Sequence, residues 1–432
     1  KDKLITPDIH PIDTYIQTVF LLLIFLLLLV VRLKLSVFIS PFISIPVIST
    51  GIHASFFSYY KWIILITNTL VVVVMFIIKL ITHRYHIQPG YINLPLAALI
   101  VIILLSTLAA DYKMIALIGF YDQHYGAITY LCCLLLMLIA TNIPFTEQFG
   151  RRLTMVLGAV TVVMSAVSLI HFLGIDLTQN STFRIILAGR EHADYAWGFF
   201  SSTLGNQNFS SGLAAALVCF FTVLLIWGRS IIKPIYTLIF SLSALILLLT
   251  ALSSGIVAAF IGLLVIVILA GYDFGLRKIV LVISTVLISL GIFFVIFVQQ
   301  NPQLSGEVFF WREVPLCETD ISEQSSRVMA GNGRVYIWDK TIQLILDKPL
   351  LGHGANTLAY YFPQLDSDKV SHLEYYNLIV DKPHNAYLSY AFNFGIISLL
   401  FLFYLLLAHL IYSFNQIIKS REKQQVLRIY HI

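Results

Sequence analysis

Residues 15–31 read YIQTVFLLLIFLLLLVV and contain no charged side chain. A helix needs about 20 mainly apolar residues to cross the hydrocarbon core of a bilayer. Comparable stretches recur along the chain, in which 59% of the 432 residues are hydrophobic and 11% are charged. A soluble domain carries roughly 25% charged residues. The sequence therefore predicts an all-α, polytopic integral membrane protein.

The apolar stretches predict eleven transmembrane spans, and a twelfth helix before Lys1 would place both ends of the bundle on one side. We expect three parts: an N-terminal transmembrane bundle of about ten spans (1–298), a large extracytoplasmic loop with short amphipathic helices (299–383), and a last transmembrane helix with a basic tail (384–432). The expected spans are 15–31, 35–58, 62–82, 94–110, 126–140, 153–173, 210–227, 234–250, 255–270, 279–298 and 385–414.

Basic residues predict the orientation, because short cytoplasmic loops are enriched in Lys and Arg. One set of alternate connections, with the C-terminal tail, holds 14 of the 27 basic residues and only 3 of the 22 acids. We expect this side to face the cytoplasm, so that Lys1 and the long loop lie outside. The net charge of +5 follows from this bias and from anionic lipid headgroups, so no nucleic-acid partner is expected.

The long loop contains a polar segment with regularly spaced glycines, residues 331–354. Its apolar residues recur at helical spacing, which predicts an amphipathic helix over 333–347 that lies flat on the membrane interface. A second short helix is expected over 372–380. The predicted apolar face of the first helix consists of Val335, Trp338, Ile342 and Ile345.

Two side chains of this region suggest chemistry on a charged substrate. The guanidinium of Arg334 could grip a diphosphate through paired hydrogen bonds, or could simply contact lipid phosphate at the interface. His384 precedes the last apolar helix, whose positive dipole end disfavours imidazolium. A neutral His384 could accept a proton at pH 7, although it could also be a helix cap.

Other polar residues are weaker candidates. Asn206 and Asn208, in the run Gly-Asn-Gln-Asn, could cap a helix or bind sugar hydroxyls. His353 lies between two glycines and suits a tight turn. His124, Arg184 and Arg190 also fall in loops on the predicted outer side. The four cysteines are expected to be apolar thiols, and neither a metal site nor a cofactor is expected.

Taken in order, these pieces resemble the O-antigen ligase and Wzy-type polymerase family, which are membrane glycosyltransferases of the GT-C type. The order and spacing agree over about residues 201–406. The segments that carry the resemblance are Gly-Asn-Gln-Asn at 205–208, Arg334 with Trp338, Pro-Leu-Leu-Gly-His-Gly at 349–354, and His384-Asn385 before an apolar helix containing Gly395-Ile-Ile.

The resemblance implies metal-independent, inverting transfer of a glycan from undecaprenyl diphosphate to an acceptor hydroxyl on a lipid, a glycan or a protein. It assigns catalysis to Arg334 and His384 and leaves a shaping role for Trp338, His353, Asn385 and His124. A second family arginine is expected where this chain has Ser254. Either Arg184, Arg190 or Arg327 supplies that charge, or the substrate needs less neutralisation, or this member is catalytically divergent.

Three functions remain open at this stage. A ligase and a polymerase share the chemistry and differ only in the acceptor, and we favour the ligase. The alternative from another class is a transporter or flippase of the same lipid-linked glycan. Transporters usually carry ionisable residues near the bilayer midplane and show internal repeats. The apolar spans here are almost free of charge and no repeat is evident, which favours an enzyme.

Overall fold

A computed structural model describes residues 11–29, 59–83, 87, 90–120, 123–173, 202–228, 230–250, 252–274, 333–367, 369, 373 and 378–419. These residues form helices joined by loops, and they contain no β-strand. The helices are α1 (Pro11–Leu29), α2 (Tyr59–His83), α3 (Asn93–Ala109), α4 (Lys113–Ile118), α5 (Ala127–Ala140), α6 (Glu147–Phe172), α7 (Gln207–Trp227), α8 (Lys233–Thr250), α9 (Ser253–Phe274), α10 (Arg334–Asp347), α11 (Leu358–Tyr361) and α12 (Ala386–Lys419).

The all-α, polytopic architecture is confirmed. Six of the described helices (α1, α2, α6, α7, α8 and α12) are long and apolar enough to cross a membrane, and α3, α5 and α9 contain shorter apolar stretches. These correspond to the predicted spans apart from 35–58 and 279–298, which lie outside the described residues. The total of 11–12 helices and the division at residues 298 and 383 therefore stay predictions.

The described helices fall into two compact units. The first consists of residues 11–23, 59–144 and 333–412. Its core joins Leu96, Leu99 and Ile103 of α3 to Phe394 of α12. A second apolar cluster in the same unit packs α10 and α11 against the first part of α12. The helix that carries Arg334 is therefore packed against the helix that follows His384.

The second unit consists of residues 24–29, 145–173, 202–274 and 413–419, within the described parts of the chain. Its core lies around α7, whose Phe221 is fully buried between residues of α6 and α8. Gly255 of α9 lies so close to α7 that an added Cβ would be 1.9 Å from the Ser211 hydroxyl. Close packing of α9 on α7 therefore accounts for the glycine that follows Ser254.

The direction of α1 corrects one topology expectation. Asp13, at the start of α1, forms a buried ion pair with Lys79, at the end of α2, and the two side chains are 2.7 Å apart and each 5% exposed. Gln17 also donates to the carbonyl of Pro144, just after α5. The start of α1 thus lies at the same end of the unit as the end of α2, which is predicted to be cytoplasmic.

The expectation that α1 begins outside is therefore wrong if α2 ends in the cytoplasm. Counting basic residues could not detect this direction, because the count assumed that residues 35–58 cross the membrane once. That assumption places the start of α1 and the end of α2 on opposite sides. A buried lysine at a helix end is costly unless a carboxylate neutralises it, and Asp13 is the residue that does so. The ion pair, and not the loop charge, fixes the direction of this helix relative to α2.

Candidate active site

Helix α12 is broken one-third of the way along its length. Gly395 has a φ of 84°, a left-handed conformation that glycine adopts without strain. The amide of Ile396 donates to the carbonyl of Pro349 at 2.7 Å instead of continuing the helix. A Cβ on Gly395 would lie 2.1 Å from the Leu350 carbonyl oxygen. The break is therefore built for a close approach of the chain around residue 350.

The chain segment around residue 350 also provides hydrogen-bond donors for the α12 carbonyl groups that lose their helical partners at the break. The amide of His353 donates to the carbonyl of Phe392 at 2.8 Å, and the amide of Gly354 donates to Asn393 at 3.0 Å. A backbone polar group without a partner costs several kcal/mol in apolar surroundings. The motif Pro-Leu-Leu-Gly-His-Gly at 349–354 therefore replaces hydrogen bonds that an unbroken helix would make internally.

The His353 side chain fixes this arrangement to α10. Its Nε2 lies 2.7 Å from the carbonyl of Leu344, near the end of α10, so the ring must donate this hydrogen bond. The ring also stacks on Phe392 of α12, with centroids 4.7 Å apart. The residue is 3% exposed, and burial lowers the pKa of the imidazole. His353 is thus a neutral residue that joins α10 to α12, which goes beyond the turn expected from its glycine neighbours.

Replacing His353 by Phe should destabilise the protein by about 1–3 kcal/mol, because the stack survives while the hydrogen bond to Leu344 is lost. Thermal unfolding in detergent measures this. The control is His409→Phe, at an exposed position of α12, which should change stability by less than about 0.5 kcal/mol. Equal effects of the two changes would contradict the role given to His353.

The stability of the wild-type protein should also depend on pH through this residue. The folded-state pKa of His353 lies below its ordinary value of 6.5, so below pH 6.5 the unfolded state binds a proton that the folded state does not. Stability should therefore fall as the pH drops below 6.5, and His353→Phe should remove that part of the dependence.

Helix α10 positions Arg334 and Trp338 one turn apart on the same face. The indole Nε1 of Trp338 donates to the carbonyl of Pro383 at 2.8 Å. Pro383 is buried, and His384 follows it and is exposed. The hydrogen bond therefore holds α10, on which Arg334 lies one turn before Trp338, against the residue that precedes His384.

The apolar face predicted for α10 is split in the structure. Ile345 is buried, whereas Val335 is 44% and Ile342 is 45% exposed. Tyr336 and Ile337 pack into the core in their place, and the Tyr336 hydroxyl donates to Asp366 at 3.0 Å. Helical periodicity predicted the helix but not the rotation about its axis, which the Tyr336 contacts determine.

The backbone around His384 is set by a helix cap. The side-chain oxygen of Asn385 accepts hydrogen bonds from the amides of Tyr387 (3.0 Å) and Leu388 (3.2 Å), which is the geometry of an N-cap. His384 itself has a φ of 52°, a left-handed conformation that is costly for a residue with a side chain and that occurs preferentially at functional sites. Asn385 is therefore a capping residue that helps to present His384.

Partial burial of His384 favours the neutral imidazole. Desolvation lowers its pKa most; among the neighbouring charges, Asp381 raises the pKa, and Lys382 and Arg334 lower it. Since the pKa lies below its ordinary value of 6.5, the ring is mainly neutral at pH 7. A neutral imidazole can accept a proton from a substrate while a guanidinium binds an anionic group of that substrate.

A polar network, which the sequence did not single out, holds the segment 381–385, named here the His384 segment. Gln123 donates to the carboxylate of Asp381, and Asn356 donates to Gln123 at 3.3 Å. Asn356 also accepts from the amide of Phe120 at 2.7 Å. An Asp-Lys pair directly before Pro-His-Asn was the available signal, but only the fold shows which side chains meet it.

The remaining candidates have local contacts of their own or lie outside the described residues. Asn206 caps α7 by accepting from the amide of Asn208 at 2.8 Å, in agreement with the capping interpretation. Ser254 is exposed in the first turn of α9. His124 is buried and stacks on Trp62, with centroids 4.8 Å apart. Outside the described residues lie Arg184, Arg190 and Arg327.

The apolar helices define a polytopic membrane protein. Within it, residues 238–403 match a family model, Wzy_C, described as O-antigen ligase, and this confirms the predicted resemblance to the O-antigen ligase and Wzy-type family. The match extends from α8 into α12 and includes Arg334, Trp338 and His384. A comparison with curated proteins gave no match. Residues 238–403 of this membrane protein are accordingly similar to the O-antigen ligase family, which supports an activity of the O-antigen ligase or polymerase class.

Proposed function

We propose that this protein transfers a glycan from undecaprenyl diphosphate to an acceptor hydroxyl at the extracytoplasmic face of the bacterial inner membrane. The observation that supports the proposal is the hydrogen bond from Trp338, one turn after Arg334 on α10, to the carbonyl of Pro383, which directly precedes His384. One residue supplies a permanent positive charge and the other an imidazole whose pKa is lowered. Glycosyl transfer from a diphosphate to a hydroxyl benefits from a proton acceptor and from stabilisation of the leaving group.

In the proposed step, the neutral imidazole of His384 takes the proton of the acceptor hydroxyl. The oxygen forms a bond to the anomeric carbon as the bond from that carbon to the phosphate oxygen breaks. The electron pair of the broken bond stays on the diphosphate, which leaves with one more negative charge. Arg334 stabilises that charge as it develops. Attack opposite to the leaving group inverts the anomeric configuration, and the step needs no cofactor.

The acceptor decides between the ligase and the polymerase. A lipid, a protein or another lipid-linked glycan can each supply the hydroxyl, and the chemistry at His384 is the same for all. We favour ligase-type transfer and treat polymerisation as the alternative outcome of the test. Transport of the lipid-linked glycan without transfer is the outcome that would contradict the proposal.

The test is incubation of the purified protein with undecaprenyl-diphosphate oligosaccharide and a panel of acceptors, followed by mass analysis. A product of glycan plus acceptor, with release of undecaprenyl diphosphate, supports ligation, and longer lipid-linked glycans support polymerisation. In a parallel arm, proteoliposomes report movement of the lipid-linked glycan across the bilayer. Movement with no acceptor-dependent product would overturn the proposal in favour of a flippase.

A further inference from the structure

The proposed reaction, on which this inference rests, requires positive charge that Arg334 alone does not provide. A diphosphate ester leaves with an additional negative charge, and in the resemblance a second arginine would meet it. This chain has Ser254 at that position, and a serine hydroxyl carries no charge. A cation near Arg334 and His384 would supply what the serine lacks.

Lys382 lies two residues before His384, on the same His384 segment that Trp338 holds through Pro383. Pro383, whose carbonyl accepts the hydrogen bond from Trp338, lies directly between Lys382 and His384 in the chain, so α10 contacts the segment next to both side chains. The Lys382 ammonium lies 6.0 Å from the centre of the Tyr125 ring, and 42% of its side chain is exposed. The positive charges of Lys382 and Arg334 both act on the imidazole of His384.

The Lys382 ammonium is less firmly paired than the ammonium groups of Lys340 and Lys348. Its carboxylate neighbour, Asp381, is 3.6 Å away. By contrast, Lys348 lies 2.8 Å from Asp111 and Lys340 lies 3.1 Å from Asp366. Exposed ion pairs contribute only about 0–1 kcal/mol, so a multiply charged phosphate would outcompete the long contact to Asp381.

Asp381 is itself held by Gln123. The fixed carboxylate of Asp381 gives the Lys382 ammonium one nearby partner. It leaves others of the three ammonium N–H donors available. The ammonium can then turn between Asp381 and an incoming anion. The arrangement suits a cation that is needed only when substrate is present.

We propose that Lys382 is a second diphosphate-binding cation of the site, in addition to Arg334. The ligand class is a lipid diphosphate, because two cations that both act on His384 match the charge of two linked phosphates better than that of one. A lipid monophosphate would engage one cation and gain less from the pair.

The test is Lys382→Gln, with Lys382→Arg as the conservative variant and Lys348→Gln as the matched control, since the Lys348 side chain is 39% exposed. The transfer reaction is titrated with farnesyl diphosphate and with farnesyl monophosphate as competitors. Loss of a charged hydrogen bond weakens binding by about 10- to 100-fold. We expect Lys382→Gln to weaken inhibition by the diphosphate by this factor, with a smaller effect on the monophosphate, and Lys382→Arg to retain it.

An unchanged inhibition constant for the diphosphate in Lys382→Gln, or an equal loss in Lys348→Gln, would overturn the inference. A general folding defect would weaken inhibition by the diphosphate and by the monophosphate equally, and Lys382→Arg would show the same loss. That result would also overturn the inference. Failure of the proposed function looks different, because the wild-type protein would then give no transfer product. Direct binding of farnesyl diphosphate to the three variants still tests Lys382 in that case.

Discussion

Glycan transfer by a His384→Gln variant should be slower than that of the wild type by roughly 10²- to 10⁴-fold, the usual contribution of a general base. The amide of glutamine can keep a hydrogen bond to the acceptor but cannot accept its proton at pH 7. The backbone at this position is held by contacts that do not involve the His384 side chain, namely the Asn385 cap and the hydrogen bond from Trp338 to Pro383. The variant should therefore fold and should still bind the donor.

The pH dependence of the wild-type protein gives an independent measurement of the same role. The pKa of His384 lies below 6.5, lowered by desolvation and by Lys382 and Arg334 against the opposing effect of Asp381. Because only the neutral ring accepts a proton, turnover should rise with pH, reach half its maximum below pH 6.5 and be level near neutrality. Arg334→Gln should move this midpoint upward, since it removes a positive charge next to the ring.

The control for His384 is His409→Gln, which changes an exposed histidine of α12 and should leave turnover within about twofold of the wild type. Near-normal turnover in a folded His384→Gln variant would remove this residue from the proposed mechanism. A low turnover accompanied by lost donor binding would assign His384 to the binding of substrate and not to proton transfer.

The sequence predicted the membrane class because uninterrupted apolar stretches have few alternative structures. It also drew attention to Arg334 and His384 as candidates, since a charged residue and a histidine at helix starts stand out in an apolar chain, and their roles stay predictions. Periodicity could not reveal the break at Gly395, whose hydrogen-bond partners lie about forty residues away around Pro349. These contacts connect distant parts of the chain.

The direction of α1 and the role of Lys382 were missed for the same physical reason. Each depends on which charge lies next to which in three dimensions: Asp13 beside Lys79, and Lys382 on the His384 segment. Counting charges by loop treats every lysine as equivalent. A buried, neutralised lysine and a half-exposed, weakly paired one differ in energy by several kcal/mol, and only the packing distinguishes them.

The second large effect is expected at Arg334. Removing one preorganised donor from a developing negative charge typically costs 10²–10³ in turnover, and we expect Arg334→Ala to lose roughly this much. Arg334→Lys should recover only part of it, because an ammonium cannot form the paired hydrogen bonds of a guanidinium. Arg334 is exposed, so thermal stability should change little. Arg151→Gln, at an exposed arginine of α6 paired with Glu147, is the control.

The strongest form of this test is a double-mutant cycle between Arg334 and Lys382. If both cations hold one diphosphate, removing the first changes how the phosphate sits and therefore the loss caused by removing the second. The effects of Arg334→Ala and Lys382→Gln on transfer should then differ from additivity by about 0.5–3 kcal/mol, as expected for residues that share a ligand. The same cycle between Arg334 and Lys348 should be additive, since Lys348 pairs with Asp111. Additivity in the first cycle would mean that the two cations act on different groups, and Arg334 would then stabilise the leaving diphosphate without Lys382.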